Sequence, residues 1–221
     1  MLLPRPVHAI VFDMDGLLCD TETIFRDSMI EVARERGHDF PPALFLSMIG
    51  TSDEGSRKLM FEHYGADFPL NEYWADVAVN ARARFARGVD LKPGVVEILD
   101  HLDGASLPRA ICTSSSPASV QSHLGASGII PRFHAIVARG DYANGKPHPE
   151  PYLTAAQKLG VDPQFCLALE DSHNGIRSAH GAGMMTIMVP DLLEATEEIR
   201  GLCVHVVDSL HDVRGFLSER A

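Results

Sequence analysis

Positive charge is scarce in this sequence. Its 221 residues carry 19 Lys and Arg against 30 Asp and Glu, a formal net charge of −11. A protein that grips nucleic acid needs a basic face to neutralise phosphates, so this balance argues against a general nucleic-acid binder. It argues equally against polybasic attachment to an anionic membrane surface. Long apolar runs are also missing: none approaches the ~20 residues that span a bilayer, and Met1–Pro6 lacks the apolar stretch of a secretory leader. Cysteine is sparse. Cys19, Cys112, Cys166 and Cys203 are scattered, with no CxxC pair and no zinc-finger spacing. Three of them follow or sit in apolar runs, where a free thiol behaves as a small hydrophobe. The expectation is a reducing, cytoplasmic location without disulfides. The 11 histidines form no HExxH pair, and no GxSxG elbow marks a hydrolase triad.

What remains is an ordinary globular composition, 45% hydrophobic and 22% charged with 18 Gly and 14 Pro, long enough to bury a real core. Short apolar runs recur at Ala9–Phe12, Arg109–Cys112, Ala135–Val137, Cys166–Leu169, Thr186–Val189 and Val204–Val207. Most are apolar at every position, which suits strands covered on both faces in a parallel sheet. Helix-like stretches separate them at Val95–Leu102, Ser116–Ser127, Pro149–Lys158 and Asn174–Ala182. This alternation predicts an α/β fold with a doubly wound parallel sheet. Between about Thr21 and Gly88 the rhythm breaks. That stretch reads as helices over Glu22–Arg36, Pro42–Met48, Asp53–Tyr64 and Leu70–Arg87, punctuated by Gly37, Gly50 and Gly65. Leu91-Lys92-Pro93-Gly94 marks the return. The expected organisation is a core of residues 1–19 and 89–221, interrupted by a helical insert over 20–88.

Four segments carry chemistry. Asp13 and Asp15 directly follow the first apolar strand, with Gly16 setting a turn. Ligands in open α/β sheets bind outside the carboxyl ends of the strands, so both acids belong at the crevice. Two close carboxylates repel unless a cation compensates, and a hard ion such as Mg2+ suits oxygen ligands. Glu170-Asp171 ends a second apolar strand. Asp171 could be a helix N-cap or a metal ligand, and the presence of Asp13 and Asp15 favours the latter. Thr113-Ser114-Ser115-Ser116 follows a third strand and leads into a helix, as phosphate-binding segments do, with Ser116 as a cap before Pro117. Lys146, among alternating prolines, is either a cation at the crevice or a solvated surface lysine. Gly140 to Lys146 spells GxxxxGK, but Pro147 stands where a P-loop needs Ser or Thr, so a nucleotide triphosphatase is rejected. Gly181-Ala182-Gly183 follows a helix and is no dinucleotide fingerprint. His148 and His173 read as neighbours of the site.

In this order the four segments resemble the four motifs of the haloacid dehalogenase superfamily. Asp13-Met14-Asp15-Gly16 is similar to motif one, Thr113 to motif two, Lys146 to motif three and Glu170-Asp171 to motif four. Leu169-Glu170-Asp171-Ser172, Gly175-Ile176 and Ala182-Gly183-Met184 resemble the β-phosphoglucomutase-like branch, and the helical insert resembles its cap domain. Dehalogenases proper lack the second motif-one Asp, which Asp15 supplies here. The resemblance implies a Rossmann-like core and a Mg2+-dependent enzyme. Asp13 would be the nucleophile forming an aspartyl-phosphate, and Asp15 the general acid and base. Mg2+ would be held by Asp13, the Asp15 carbonyl and Asp171, with Glu170 close by or ligating. Thr113, Ser114 and Lys146 would hold the phosphoryl oxygens, and the cap would close over a small phosphorylated metabolite.

Two departures bear on the branch member. Where β-phosphoglucomutases carry a His after motif one and an Arg in the cap, this chain has Phe25 and Asp53. Asp53 would repel a second phosphate. The run Asp13–Glu22 and Met188-Val189-Pro190-Asp191 look more like sugar-phosphate and pseudouridine-5′-phosphatases. A phosphomonoester phosphatase is therefore expected, with a sugar-phosphate mutase and a non-catalytic binding or regulatory scaffold as the alternatives. Glu22, Gly50, Thr51 and Ser52 are the positions expected near the leaving group, although Glu22 equally suits a helix first turn and Thr51 or Ser52 a cap. Phe25, Phe45 and Trp74 are expected in the core of the insert. Nothing forces a dimer, and a monomer is the expectation.

Overall fold

The computed structural model describes residues 3–49 and 53–218. In chain order the elements are β1 (Ala9–Phe12), α1 (Thr21–Glu35), α2 (Pro42–Met48), α3 (Asp53–Tyr64), α4 (Leu70–Phe85), α5 (Val95–Gly104), β2 (Arg109–Cys112), α6 (Pro117–Leu124), β3 (Ala135–Val137), α7 (Glu150–Leu159), β4 (Cys166–Glu170), α8 (His173–Gly181), β5 (Met185–Met188), α9 (Glu197–Leu202), β6 (His205–Val206) and α10 (Leu210–Ser218). The strands form one six-stranded sheet, ordered β3-β2-β1-β4-β5-β6 and parallel throughout. The order reverses at β1. The chain runs outward through β2 and β3, then returns to the other side of β1 with β4. That reversal opens the crevice where ligands bind in doubly wound sheets.

Every residue of β1, β2, β4 and β5 is buried. Because side chains alternate along a strand, Ala9 and Val11 share one face with Ala110, Cys112, Cys166 and Ala168, where they pack with Tyr152, Ala155 and Ala156 of α7. Alanine at the central positions lets the helix approach closely. Ile10 and Phe12 point the other way, at no exposure. Burying each such large side chain contributes about 1.5–3 kcal/mol. The sheet faces thus hold β1 and β4 rigid up to their carboxyl ends, where the acids emerge. Two elements beyond those expected, α9 and α10, complete the described chain.

Contacts divide the chain into two compact units, Met1–Asp20 with Val89–Ala221, and Thr21–Gly88. The second is wholly helical over its described residues. Helix α4 buries Leu70, Tyr73, Val77, Ala81 and Phe85, an i, i+3, i+4 stripe. It packs on α1, where Val32 and Ala33 are buried. The Tyr73 hydroxyl donates to the Met29 carbonyl at 2.9 Å, so its polar end is satisfied. Phe45 is buried here. Phe25 departs from expectation: it is 37% exposed, its ring edge-on to Phe85 at 5.3 Å.

Candidate active site

Asp13 is the first residue past β1. Its amide donates to the Leu169 carbonyl at 2.9 Å, extending the ladder with β4 by one bond and fixing the backbone at the switch point. Its side chain is buried against Lys146, whose Nζ donates to Asp13 Oδ1 at 2.5 Å. The same ammonium donates to Glu170 Oε1 at 2.6 Å and to the Cys112 carbonyl at 2.9 Å. It also lies 5.1 Å from the centre of the Tyr152 ring. Lys146 is therefore no surface lysine: its side chain is 7% exposed. Asp13 and Glu170 hold the ammonium protonated, well above its ordinary range, against the opposing effect of burial.

Glu170, the last residue of β4, has no exposure. Oε1 accepts from Lys146 and from the Tyr152 hydroxyl at 2.8 Å. Oε2 accepts from the Asp171 amide at 3.2 Å, the Ser172 amide at 3.1 Å and the Ser172 hydroxyl at 2.9 Å. This carboxylate is clamped by donors on both oxygens, and in turn aims Lys146 at Asp13. Gly175 makes room for it: a Cβ there would overlap the Glu170 carboxylate. The cap of α8 is Ser172, whose hydroxyl accepts from the Gly175 amide at 3.1 Å. Asp171 is thus released from the capping role that the sequence left open. Its carboxylate covers the bare Cα of Gly16, where φ is +87° and an added Cβ would overlap Asp171 Oδ2.

Asp15 faces a different set. Oδ2 accepts from the Ser115 hydroxyl at 2.7 Å and from the Thr113 hydroxyl at 3.3 Å. Oδ1 lies 3.1 Å from His123 Nδ1. Thr113 directly follows β2, and its hydroxyl also accepts from the Ser115 amide at 3.0 Å. Ser114 is exposed, its carbonyl accepting from Arg139 Nε at 3.0 Å. Ser116 caps α6 by accepting from the Ser119 amide at 3.1 Å. The structure therefore joins Asp13, Lys146, Glu170 and Asp171 in one group and Asp15 with Thr113 in another beside it.

Glu22 belongs to the helical unit, in the first turn of α1. With Met29, Phe45, Met48, Ile49, Arg57 and Trp74 it lines a cavity of about 570 Å3 within the helical unit. Trp74 is thus cavity wall as well as packing. Gly50, Thr51 and Ser52 lie outside the described residues.

Three residues at this site went unread in the sequence as site residues. His123 sits on the buried stripe of α6 with Val120 and Leu124. A histidine at a core-facing position of a helix that follows a motif strand is the signal that would have flagged it. Ser115 is one of four consecutive hydroxyl residues, which the sequence alone does not tell apart. Asp191 pairs through Oδ1 with Lys92 Nζ at 2.6 Å, while Oδ2 is buried with no hydrogen-bond partner among the described residues. That orphaned oxygen lies 3.4 Å from where a Gly16 Cβ would be, on the side occupied by Asp171.

Residues 7–183 match the family model of haloacid dehalogenase-like hydrolases. The chain belongs to that family. The hydrolase is 33% identical over 219 residues to the protein named "Probable pseudouridine-5′-phosphatase" of Drosophila melanogaster, covering 95% of this chain and 93% of that one. It is 27% identical over 181 residues to the phosphorylated carbohydrates phosphatase of Thermotoga maritima, covering 82% and 84%. Among solved structures, a haloacid dehalogenase family hydrolase from Deinococcus radiodurans with bound phosphate and sodium superposes with a TM-score of 0.82 at 26% identity, covering 97% and 96%. The fold and the helical insert are those of this family.

The acids fit a divalent cation, which hydrolases of this family generally use. Asp13, Glu170 and Asp171 each offer a carboxylate oxygen, all within 4.8 Å of one another. With no cation, the Asp13 carboxyl is pushed up to about 8, first by burial and then by the negative charges of Glu170 and Asp15, against the attraction of Lys146. Lys146 alone does not offset the carboxylates around it. The unpartnered Asp191 oxygen beside Asp171 is a further sign that a cation, or water bound to one, completes this cluster.

Proposed function

We propose that this hydrolase is a Mg2+-dependent phosphatase that releases phosphate from a small phosphomonoester, a sugar or nucleoside monophosphate, through an aspartyl-phosphate on Asp13. One observation carries the reading: a buried ammonium, Lys146, stands 2.5 Å from the carboxylate at the switch point and is held there by a second, fully clamped carboxylate. A nucleophilic carboxylate must meet a phosphoryl group whose oxygens are themselves negative. A fixed cation beside it makes that approach feasible.

Asp13 attacks phosphorus, and the bond from phosphorus to the leaving-group oxygen breaks. Asp15 donates its proton to that oxygen, then removes a proton from the water that attacks the acyl-phosphate and frees Asp13. Ser115, Thr113 and His123 hold the Asp15 carboxylate for both steps. Lys146, the Thr113 hydroxyl and the Ser114 backbone hold the phosphoryl oxygens. Mg2+, when bound by Asp13, Asp171 and the Asp15 carbonyl, neutralises carboxylate and phosphate charge. The donors already committed to Glu170 support a positioning role for it more than direct ligation. The mixed wall of Glu22, Arg57, Phe45 and Trp74 supports recognition of a polar leaving group with a flat or apolar part, and the names of the relatives support the phosphomonoester class. Four free thiols suit a reducing, cytoplasmic setting.

The covalent step is tested by trapping. Asp15→Asn removes the general base needed for hydrolysis of the intermediate. Acid quenching of this variant after incubation with a labelled phosphomonoester should show label on Asp13, and Asp13→Asn in the same background should show none. No trapped label in Asp15→Asn, with phosphate still released by the unaltered protein, would count against the covalent route.

A further inference from the structure

A second cluster of metal-binding side chains lies beside the first and differs from it in chemistry. Asp15, Cys19 and His123 each offer a ligand atom, all within 4.8 Å of one another. The set comprises one carboxylate oxygen, one sulfur and one imidazole nitrogen. These are zinc donors, whereas Mg2+ and Ca2+ select oxygen. We propose that Asp15, Cys19 and His123 form a Zn2+ site that, when filled, takes the Asp15 carboxylate away from substrate and so switches the enzyme off.

Local folding assembles the trio. After Asp15 the chain turns back on itself: the Gly16 amide donates to the Cys19 carbonyl at 3.0 Å, and the Cys19 amide to the Met14 carbonyl at 3.2 Å. This brings the thiol, four residues on, alongside Asp15. Cys19 also forms an isolated antiparallel bridge with Leu91, where the chain re-enters the core, which fixes it further. His123 comes from α6, buried to 7% exposure. The Ser115 hydroxyl holds Asp15 Oδ2, which leaves Oδ1 turned toward His123 at 3.1 Å. With zinc–nitrogen and zinc–oxygen bonds of about 2.0–2.2 Å, a tetrahedral N···O edge is about 3.3 Å, so this pair is nearly at ligating separation already. Three protein ligands leave the fourth position to water or to an anion.

In the metal-free protein the buried Cys19 thiol donates to the Met14 carbonyl at 3.6 Å. On binding, zinc takes the thiolate and the proton leaves to solvent. Since a thiolate and an imidazole are poor ligands for Mg2+, excess Mg2+ should not displace zinc here. That separates this site from simple replacement of Mg2+ at Asp13 and Asp171.

The test uses Co2+ as a spectroscopic stand-in for Zn2+, with saturating Mg2+ present. The unaltered protein should develop a thiolate-to-cobalt charge-transfer band that saturates at one Co2+ per chain and is abolished by one equivalent of Zn2+. Cys19→Ser and His123→Gln should each weaken Co2+ binding at least about tenfold, while Cys112→Ser, Cys166→Ser and Cys203→Ser keep the band. Cys19→Ala serves if Cys19→Ser does not fold. In parallel, half-inhibition of phosphate release by Zn2+ at saturating Mg2+ should need at least about tenfold more Zn2+ in Cys19→Ser, each protein being normalised to its own rate. Absence of a thiolate band, or a band that survives loss of Cys19, would overturn the proposal. So would inhibition that Mg2+ reverses and Cys19→Ser leaves unchanged. The spectra do not depend on turnover, so they still report on this site if no phosphate is released from any substrate.

Discussion

At the scale of single residues, Asp13 is where function and stability oppose each other. Burial and two neighbouring carboxylates raise its carboxyl to about 8, from an unfolded value of about 3.9. A group whose folded value is raised contributes stability below the unfolded value and loses it as pH climbs to the folded one. In the metal-free protein, this group's contribution therefore declines between about pH 4 and pH 8, and a bound cation restores it. Asp13→Asn removes the buried charge while keeping the shape. It should abolish turnover and, in EDTA at pH 8, raise stability by about 1–3 kcal/mol, read as a higher melting temperature. Adding Mg2+ should narrow that gap. A variant that melts lower than the parent in EDTA would mean that the ion pair with Lys146 outweighs burial. The same scale shows what one sequence can and cannot reveal. That acids follow wholly apolar strands is visible in the letters around Asp13 and Asp171. Which groups face those acids is not, because His123 lies more than a hundred residues from Asp15 in the chain and Asp191 follows a separate strand.

At the scale of elements, β4 and the start of α8 act as one device. Glu170 ends the strand, Ser172 caps the helix, and Gly175 leaves the space into which the Glu170 carboxylate fits. Replacing a helical glycine by alanine ordinarily stabilises by roughly 0.5–1 kcal/mol. At Gly175 the sign should reverse. The added methyl meets a buried carboxylate that cannot retreat, because Lys146, Tyr152 and Ser172 hold it. Gly175→Ala should lose about 1–3 kcal/mol in a chemical denaturation experiment and at least about a hundredfold in kcat, with KM less affected, since Lys146 loses its aim. An ordinary stabilisation, with kcat intact, would show that the carboxylate moves freely. The boundaries of this device were partly legible. The sequence ends the strand at Leu169, one residue short, because Glu170 is hydrophilic yet wholly buried in the fold, and it starts the helix at Asn174, one residue late. Helix α9 is short with few apolar positions, whereas α10, which buries Leu210, Val213 and Leu217 at helical spacing, carries a signal that the alternation of strands and helices does not draw on.

At the scale of the whole molecule, the parallel order β3-β2-β1-β4-β5-β6 places the ends of β1, β2 and β4 side by side. Residues separated by more than 150 positions thereby share one crevice. Runs of apolar residues at every position made this sheet legible, since such strands must be covered on both faces. The helical unit was legible as a region lacking strands, but its interior was not. Phe25 turned outward and Trp74 became part of a cavity wall, because helical periodicity alone does not say which side of a stripe meets empty space. In the proposed reading the cavity of the helical unit selects the leaving group, with Gly50, Thr51 and Ser52 as the positions expected to share that role, and the sheet ends carry the reaction. The most direct measurement is phosphate release from sugar, polyol, nucleoside and flavin monophosphates, each with Mg2+ and with EDTA, by the unaltered protein and by Asp13→Asn. Release from at least one class, lost in EDTA and lost in Asp13→Asn, is the expected result. Release that persists in EDTA, or at a near-normal rate in Asp13→Asn, would contradict it.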